Sequence, residues 1–201
     1  MGWFGLAFAA LACGVFLGSP GRAAKVPNRS CFRPVQSDIT VYNFTLPDLL
    51  QTRNISLSEH EGKILLFNNY NHTGFEVLGF PCNLFGKQEP GGNGEEILNG
   101  IRHVRPGDGF LPNFPVFKKI DVNGANEHPL YTFLKQYCPP TRDEFADQTK
   151  LFYTPLRNRD IRWNFEKILV DRTGMPVMRY DPSTKPEDIA KDIEYLMAQS
   201  T

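Results

Sequence analysis

The chain has 201 residues, enough for one cored domain and too few for two. Its 41% hydrophobic and 22% charged content is that of an ordinary globular protein. A formal net charge of 0 leaves no general attraction for phosphate backbones, and no basic tract interleaved with aromatics offsets this, so nucleic acid is excluded as a default partner.

The first predicted element is a leader. Residues 2–18 are small and apolar, with Leu6, Phe8, Leu11, Val15, Phe16 and Leu17 in the run, and Ser19-Pro20-Gly21 closes it. The run falls short of the roughly 20 apolar residues that span a bilayer, which favours a cleaved signal peptide over a membrane anchor. The expectation is a signal peptide over 1–24 and one secreted domain over 25–201. Four sequons follow, at Asn28, Asn43, Asn54 and Asn71, and they fit a glycosylated extracellular protein. Cys13 leaves with the leader. Cys31, Cys82 and Cys138 remain, an odd number that implies a free thiol or an intermolecular bridge.

Further along, residues 39–44 alternate as a short strand, and 46–50 read as a turn or strand entry. Lys63–Phe67 (KILLF) is a buried strand by its continuous apolar run, and Phe75–Phe80 (FEVLGF) is another, stopped by Pro81. Only seven residues, Asn68–Gly74, join the two. Asn93 caps a helix over about 94–102 with Glu95 and Glu96 in its first turn. Residues 105–115 form a Pro/Gly-rich loop whose Phe110 and Phe114 are expected at a packing or subunit surface. A strand over 116–122 and a helix opened by Pro129 and running to about Gln136 come next. Residues 161–170 and 175–180 flank Asp171-Arg172-Thr173-Gly174 as a hairpin. The last helix is expected to open with a Thr184/Glu187 capping box and to bury a stripe of Ile189, Ile193, Leu196 and Met197. Strands interleaved with helices and a late antiparallel hairpin give a mixed α/β class.

Three groups could carry chemistry. Gln88 sits in the loop Gly86-Lys87-Gln88-Glu89, leaving a strand, where its amide could donate to a developing anion; the bland alternative is a surface glutamine. Trp163-Asn164 offers an indole N–H and a carboxamide side by side, donors without acid–base power; a core anchor and a turn cap would use the same residues. Cys82 follows a strand and is either a nucleophile or an inert buried thiol. His60, His72, His103 and His128 are dispersed, and there is no CxxC, HExxH, GxGxxG or GxSxG. Metal sites, nucleotide cofactors and serine-hydrolase chemistry are therefore not expected.

Taken in order, Gly79-Phe80-Pro81-Cys82-Asn83, Phe85-Gly86-Lys87-Gln88-Glu89-Pro90, Val104-Arg105-Pro106-Gly107, Asp121-Val122-Asn123-Gly124 and Trp163-Asn164-Phe165-Glu166-Lys167 resemble the glutathione peroxidase family, in particular its secreted tetrameric branch. The resemblance covers nearly everything after Lys63. It implies a thioredoxin-like fold, with a central mixed sheet flanked by helices, that reduces hydrogen peroxide and organic hydroperoxides with glutathione as co-substrate. In that family a selenocysteine or cysteine attacks the peroxide, and a Gln, a Trp and an Asn favour its anion. Those supporting roles fall on Gln88, Trp163 and Asn164. Arg105 and Arg179 resemble cations that hold glutathione carboxylates. The 105–115 loop resembles the segment that builds subunit contacts, which implies a homo-tetramer.

The resemblance breaks at one place. Family members carry a segment Asn-Val-Ala-Ser-x-selenocysteine-Gly-x-Thr after the first core strand, then a crossover helix. This chain has Asn68-Asn69-Tyr70-Asn71-His72-Thr73-Gly74, with neither nucleophile nor helix, and Leu84 where Gln is usual after Cys-Asn. Parallel neighbours normally need a crossover of about a dozen residues. Seven extended residues reach about 24 Å, enough to retrace a short strand but not to add a covering helix. A helix burying about 400 Å² of apolar surface contributes roughly 10 kcal/mol. The chain as written is expected to misfold, to repair its sheet differently or to be an incomplete product, and to be inactive or severely impaired. A catalytically silent glycoprotein or binding member of the same family is the alternative.

Overall fold

The computed structural model describes residues 25–33, 38–67 and 74–199. The leader expected over 1–24, the sequon at Asn71 and six of the seven residues of the joint lie outside them. The strands are β1 (Asn28–Ser30), β2 (Thr45–Pro47), β3 (Asn54–Ser56), β4 (Ile64–Phe67), β5 (Phe75–Val77), β6 (Lys167–Val170) and β7 (Pro176–Tyr180). The helices are α1 (Gly94–His103), α2 (Pro129–Tyr137) and α3 (Pro186–Ala198).

A five-stranded sheet runs β1-β7-β6-β4-β5, and β2 and β3 form a separate ribbon. Every pairing in the main sheet is antiparallel except β4 with β5. The mixed α/β class with a central mixed sheet is the one expected. β4 and β6 are buried along their whole length because both faces of the sheet are covered. Leu65, Phe67, Ile168 and Val170 join Leu130, Phe133 and Leu134 of α2 in one core. Ile64, Leu66, Phe75, Val77, Leu169 and Tyr180 join Ile189 of α3 in the other.

The parallel pair forms across the short joint, in the register Ile64↔Phe75, Leu65↔Glu76, Leu66↔Val77. Three paired residues explain how: the chain has to retrace only about 10 Å of strand, well inside the reach of seven residues. Among the described residues, no helix lies between β4 and β5.

Several local expectations are corrected. Residues 41–43 form a 3-10 turn in place of a strand, because Thr40 and Asn43 cap each other: Asn43 Oδ1 accepts from Thr40 N at 2.8 Å, and Thr40 Oγ1 accepts from Tyr42 N at 3.2 Å. Residues 116–122 make no strand. They lace two loops together, with Leu49 N donating to Val116 O, Phe117 N to Gly79 O and Ile120 N to Pro81 O. The first hairpin arm, expected from residue 161, starts only at Lys167, since Phe165 takes a left-handed φ of 64° and turns the chain just before it. α1 and α2 open on Asn93 and at Pro129, as read from the sequence. α3 does not use the capping box. Pro186 occupies its first turn, Lys185 becomes the N-cap without a side-chain bond, and Thr184 Oγ1 donates instead to Pro27 O at 2.6 Å. Of the two phenylalanines expected at a packing or subunit surface, Phe114 takes the packing role, against the α3-side core beside Gly79, and Phe110 is 45% exposed.

Cys31 and Cys138 are joined by a disulfide, and Cys82 is the free cysteine among the described residues.

Candidate functional site

The site assembles beyond the C-terminal ends of β4 and β5, the position at which open α/β sheets carry their chemistry. Ile168 pairs with Phe67 at the end of β4, so the residues that precede β6 stand past that end. After β5 the chain bridges Val116 through Gly79 and Leu151 through Phe85, and then reaches Gly86. Gly86 and Lys87 both adopt left-handed backbone, with φ of 63° and 49°. That pair of residues reverses the chain and points Gln88 back toward the Trp163 turn. Glycine suits position 86 for its positive φ, since a Cβ there would meet Gln88 Cγ at 3.4 Å and Trp163 Cζ2 at 3.6 Å, both ordinary contact distances. The loop is tied by Asn83 Oδ1, which accepts from Glu89 N at 3.1 Å, and by Lys119 Nζ, which donates to Glu89 O at 2.6 Å and also to Gly91 O.

Gln88, Trp163 and Asn164 come together. Asn164 Nδ2 donates to Gln88 Oε1 at 2.7 Å and to Phe85 O at 3.2 Å. Trp163 leans on Phe85, their ring centroids 5.8 Å apart. Gln88 is exposed, whereas Trp163 and Asn164 are half-buried. With its carbonyl taken by Asn164, the Gln88 amide keeps its N–H groups for another acceptor. The cluster can therefore donate to an anion but offers no base and no nucleophile.

A buried ion pair sets the turn that presents Trp163 and Asn164. Glu166 Oε1 accepts from Arg162 N at 2.6 Å and closes the turn; Glu166 Oε2 accepts from Arg179 Nε at 2.6 Å. Arg179 is completely enclosed, and its remaining nitrogens donate to the carbonyls of Cys138, Arg159 and Asp160. This corrects the expectation that Arg179 holds a glutathione carboxylate: its fork is spent inside the protein, where it fixes Glu166 and so the turn. Arg105 stands exposed just after α1, on the loop over 105–115 and not among the clustered site residues. Glu166 was missed as a site-organising residue. The spacing Arg162–Glu166 was its only trace in the sequence, and that spacing looks the same on a solvated turn.

Cys82 is half-buried and packs on the α2-side core. Burial pushes its thiol above the ordinary range, and the Asp121 charge adds to this, while N–H groups of Leu84 and Val122 oppose it only in part. A thiol held protonated in this way is a poor nucleophile. No group of three His, Cys, Asp or Glu side chains among the described residues is placed to hold a metal ion. No helix among them is long and apolar enough to cross a membrane.

Comparison with known proteins supplies the family. The glutathione peroxidase family model matches residues 64–135. Glutathione peroxidase 3 of Rattus norvegicus is 38% identical over 202 residues, covering 90% of this chain and 88% of that protein. The chain belongs to the glutathione peroxidase family. Mouse glutathione peroxidase 6 is 55% identical over 126 residues, an alignment that spans 62% of this chain and only 57% of the mouse protein. The epididymal secretory glutathione peroxidase of Rattus norvegicus is 40% identical and covers 81% of both chains. Among solved structures, T. cruzi GPX1 superposes with a TM-score of 0.55 at 28% identity, over 81% of this chain and 99% of that one. The thioredoxin-like mixed α/β fold of the family is thus the fold of this chain.

Proposed function

We propose that this is a secreted member of the glutathione peroxidase family whose anion-stabilising frame is assembled but whose nucleophile is absent, so that the chain as written does not turn over hydroperoxides. One observation carries the reading. Gln88 and Asn164, 76 residues apart in sequence, meet at 2.7 Å beyond the end of β4, and Trp163 stands beside them. The six residues that follow β4 contain no cysteine, and the remaining free thiol, Cys82, is held protonated by burial. In a complete family member the same donors would favour a selenolate or thiolate anion, with hydrogen peroxide or an organic hydroperoxide as oxidant and glutathione as reductant. In this chain Arg105 is the exposed cation left to meet a glutathione carboxylate. We assign residues 1–24 to a signal peptide and 25–201 to the mature domain. Phe110 and Leu111, 45% and 56% exposed on the 105–115 loop, are the apolar surface on which a homo-tetramer would close.

Two measurements test this. The purified protein, supplied with glutathione and either hydrogen peroxide or a hydroperoxide, is expected to show no turnover above the uncatalysed rate. Turnover that disappears in Cys82→Ser would overturn the reading, because the wrong thiol would have been dismissed. Intact mass of the native secreted protein separates a chain that lacks the nucleophile segment from a longer selenium-containing one, and sequencing the transcript between the codons for Phe67 and Phe75 locates the difference.

A second reading, a catalytically silent glycoprotein, is favoured by the exposure of Asn28, Asn43 and Asn54. Glycans at these positions on a folded, monodisperse and inactive protein would support it, and unmodified asparagines would remove it.

A further inference from the structure

We infer that the cavity between the start of α3 and the sheet is a binding site for an amphiphilic carboxylate, a carboxyl group carried on an unbranched hydrocarbon chain. The cavity measures 310 Å³ and opens to solvent. Leu66 of β4, Ile189 of α3, Pro182, Pro186 and Phe165 give it an apolar wall, and Ser183, Thr184, the buried Lys167 and the exposed Lys185 complete the lining. That is the composition of a small-molecule site: a mostly apolar wall with a few polar groups to fix orientation.

Lys167 makes the case for an anion. It is only 7% exposed, yet no carboxylate among the described residues is ion-paired with it. Glu166 is taken by Arg179 and by Arg162 N, and Asp181 by Arg142 and Ser183. Lys167 Nζ instead donates to the carbonyls of Thr184 at 2.7 Å and Pro182 at 3.2 Å. Two acceptors for three ammonium protons leave one donor, and the nearby carboxylates act on the charge only from beyond contact. Burial depresses the ammonium pKa, despite the opposing pull of Asp181 and Glu166. A carboxylate in the cavity would supply the third acceptor and a negative charge in direct contact.

The apolar wall decides between a plain anion and an amphiphile. Ile189 is buried, but Phe165, in a left-handed backbone, lines the cavity while 63% exposed. A hydrocarbon chain lying from Lys167 toward Phe165 would cover the ring. This site is separate from the Gln88–Asn164 pair and does not depend on peroxidase activity.

Decanoate is the probe, titrated into the full protein by calorimetry and by the fluorescence of Trp163, two residues before Phe165. Saturable binding is expected for decanoate, none for acetate, and binding about tenfold weaker or worse for decanol, since a hydrogen bond to a charged group contributes about 1.5–3 kcal/mol. Lys167→Met should lower decanoate affinity to that of decanol. Phe165→Gly keeps the left-handed backbone that glycine favours and should also weaken decanoate, which retains a readout if the Lys167 variant fails to fold. Absence of saturable binding, equal affinity for decanoate and decanol, or unchanged affinity in Phe165→Gly would each overturn the assignment.

Discussion

The two edges of the central sheet are held by different means. At one edge, β1 is three residues long and pairs with β7 near the other end of the chain, Asn28 opposite Tyr180. So short a ladder has little hold of its own. It is fastened by the Cys31–Cys138 disulfide, by Asp181 N donating to Pro27 O, by Thr184 Oγ1 on the same carbonyl and by the contact of Lys25 with Asp181. At the opposite edge β5 is equally short, but there burial dominates. Phe75 and Val77 are 3% and 0% exposed, and between them Glu76 takes His60 at 2.8 Å and Lys63 at 2.6 Å. The contrast teaches that an edge strand of three residues survives either by tethering or by burial, and that the shortened joint before β5 is tolerated because β5 belongs to the second kind.

The strongest way to break this comparison is to cut the tether. The disulfide closes a separation of 107 residues, and in the chain-entropy account removing it costs about 4–5 kcal/mol. Urea unfolding of a Cys31→Ser/Cys138→Ser double variant should show that loss, and a change under about 1 kcal/mol would mean that the ladder alone holds β1. The matching perturbation at the other edge is Phe75→Ala, expected to cost about 3 kcal/mol or slightly more through lost burial and a cavity. If it costs almost nothing, β5 is not held by its core.

A gentler test uses acid. Against the raising effect of burial, hydrogen bonds from Arg142 and Ser183 and the charge of Arg142 hold the Asp181 carboxyl far below its ordinary pKa. The folded value lies below the unfolded one, so the stabilisation is complete above the ordinary carboxylate pKa and is lost as pH falls through that value toward the folded one. Stability of the parent protein should therefore drop between about pH 5 and pH 2 more steeply than that of Asp181→Asn. Parallel acid profiles would show that Asp181 does not anchor the β1 edge. The smallest effect belongs to Gln88→Ala, an exposed position whose loss should change stability by no more than about 0.5 kcal/mol. A larger loss would make Gln88 a structural residue of its loop.

What could be read from the sequence follows the range of the interaction involved. Asn93 and Pro129 set helix starts through neighbours within three residues, and both helices begin where expected. Thr184 misled because its hydroxyl had a distant competitor, Pro27 O, which no local pattern reveals. Residues 39–44 looked like a strand by alternation, yet the side chains of Thr40 and Asn43 satisfied the backbone first. At the site, Gln88 and Trp163-Asn164 were candidates by their donor chemistry but were joined in one role only through resemblance, since nothing in local spacing links positions 88 and 164. Arg179 was found by the same route and given the wrong role, because a guanidinium enclosed by three backbone carbonyls and Glu166 has the same letter as one in solvent.

The pairing of Asn28 with Tyr180 also has a consequence in time. During synthesis β1 emerges before any other strand of the sheet, but its partner strand is made only after some 150 further residues have been added. The first strand to appear is thus the last to find its place, and until then its bare backbone and the thiol of Cys31 are open to other partners in the compartment where the chain folds.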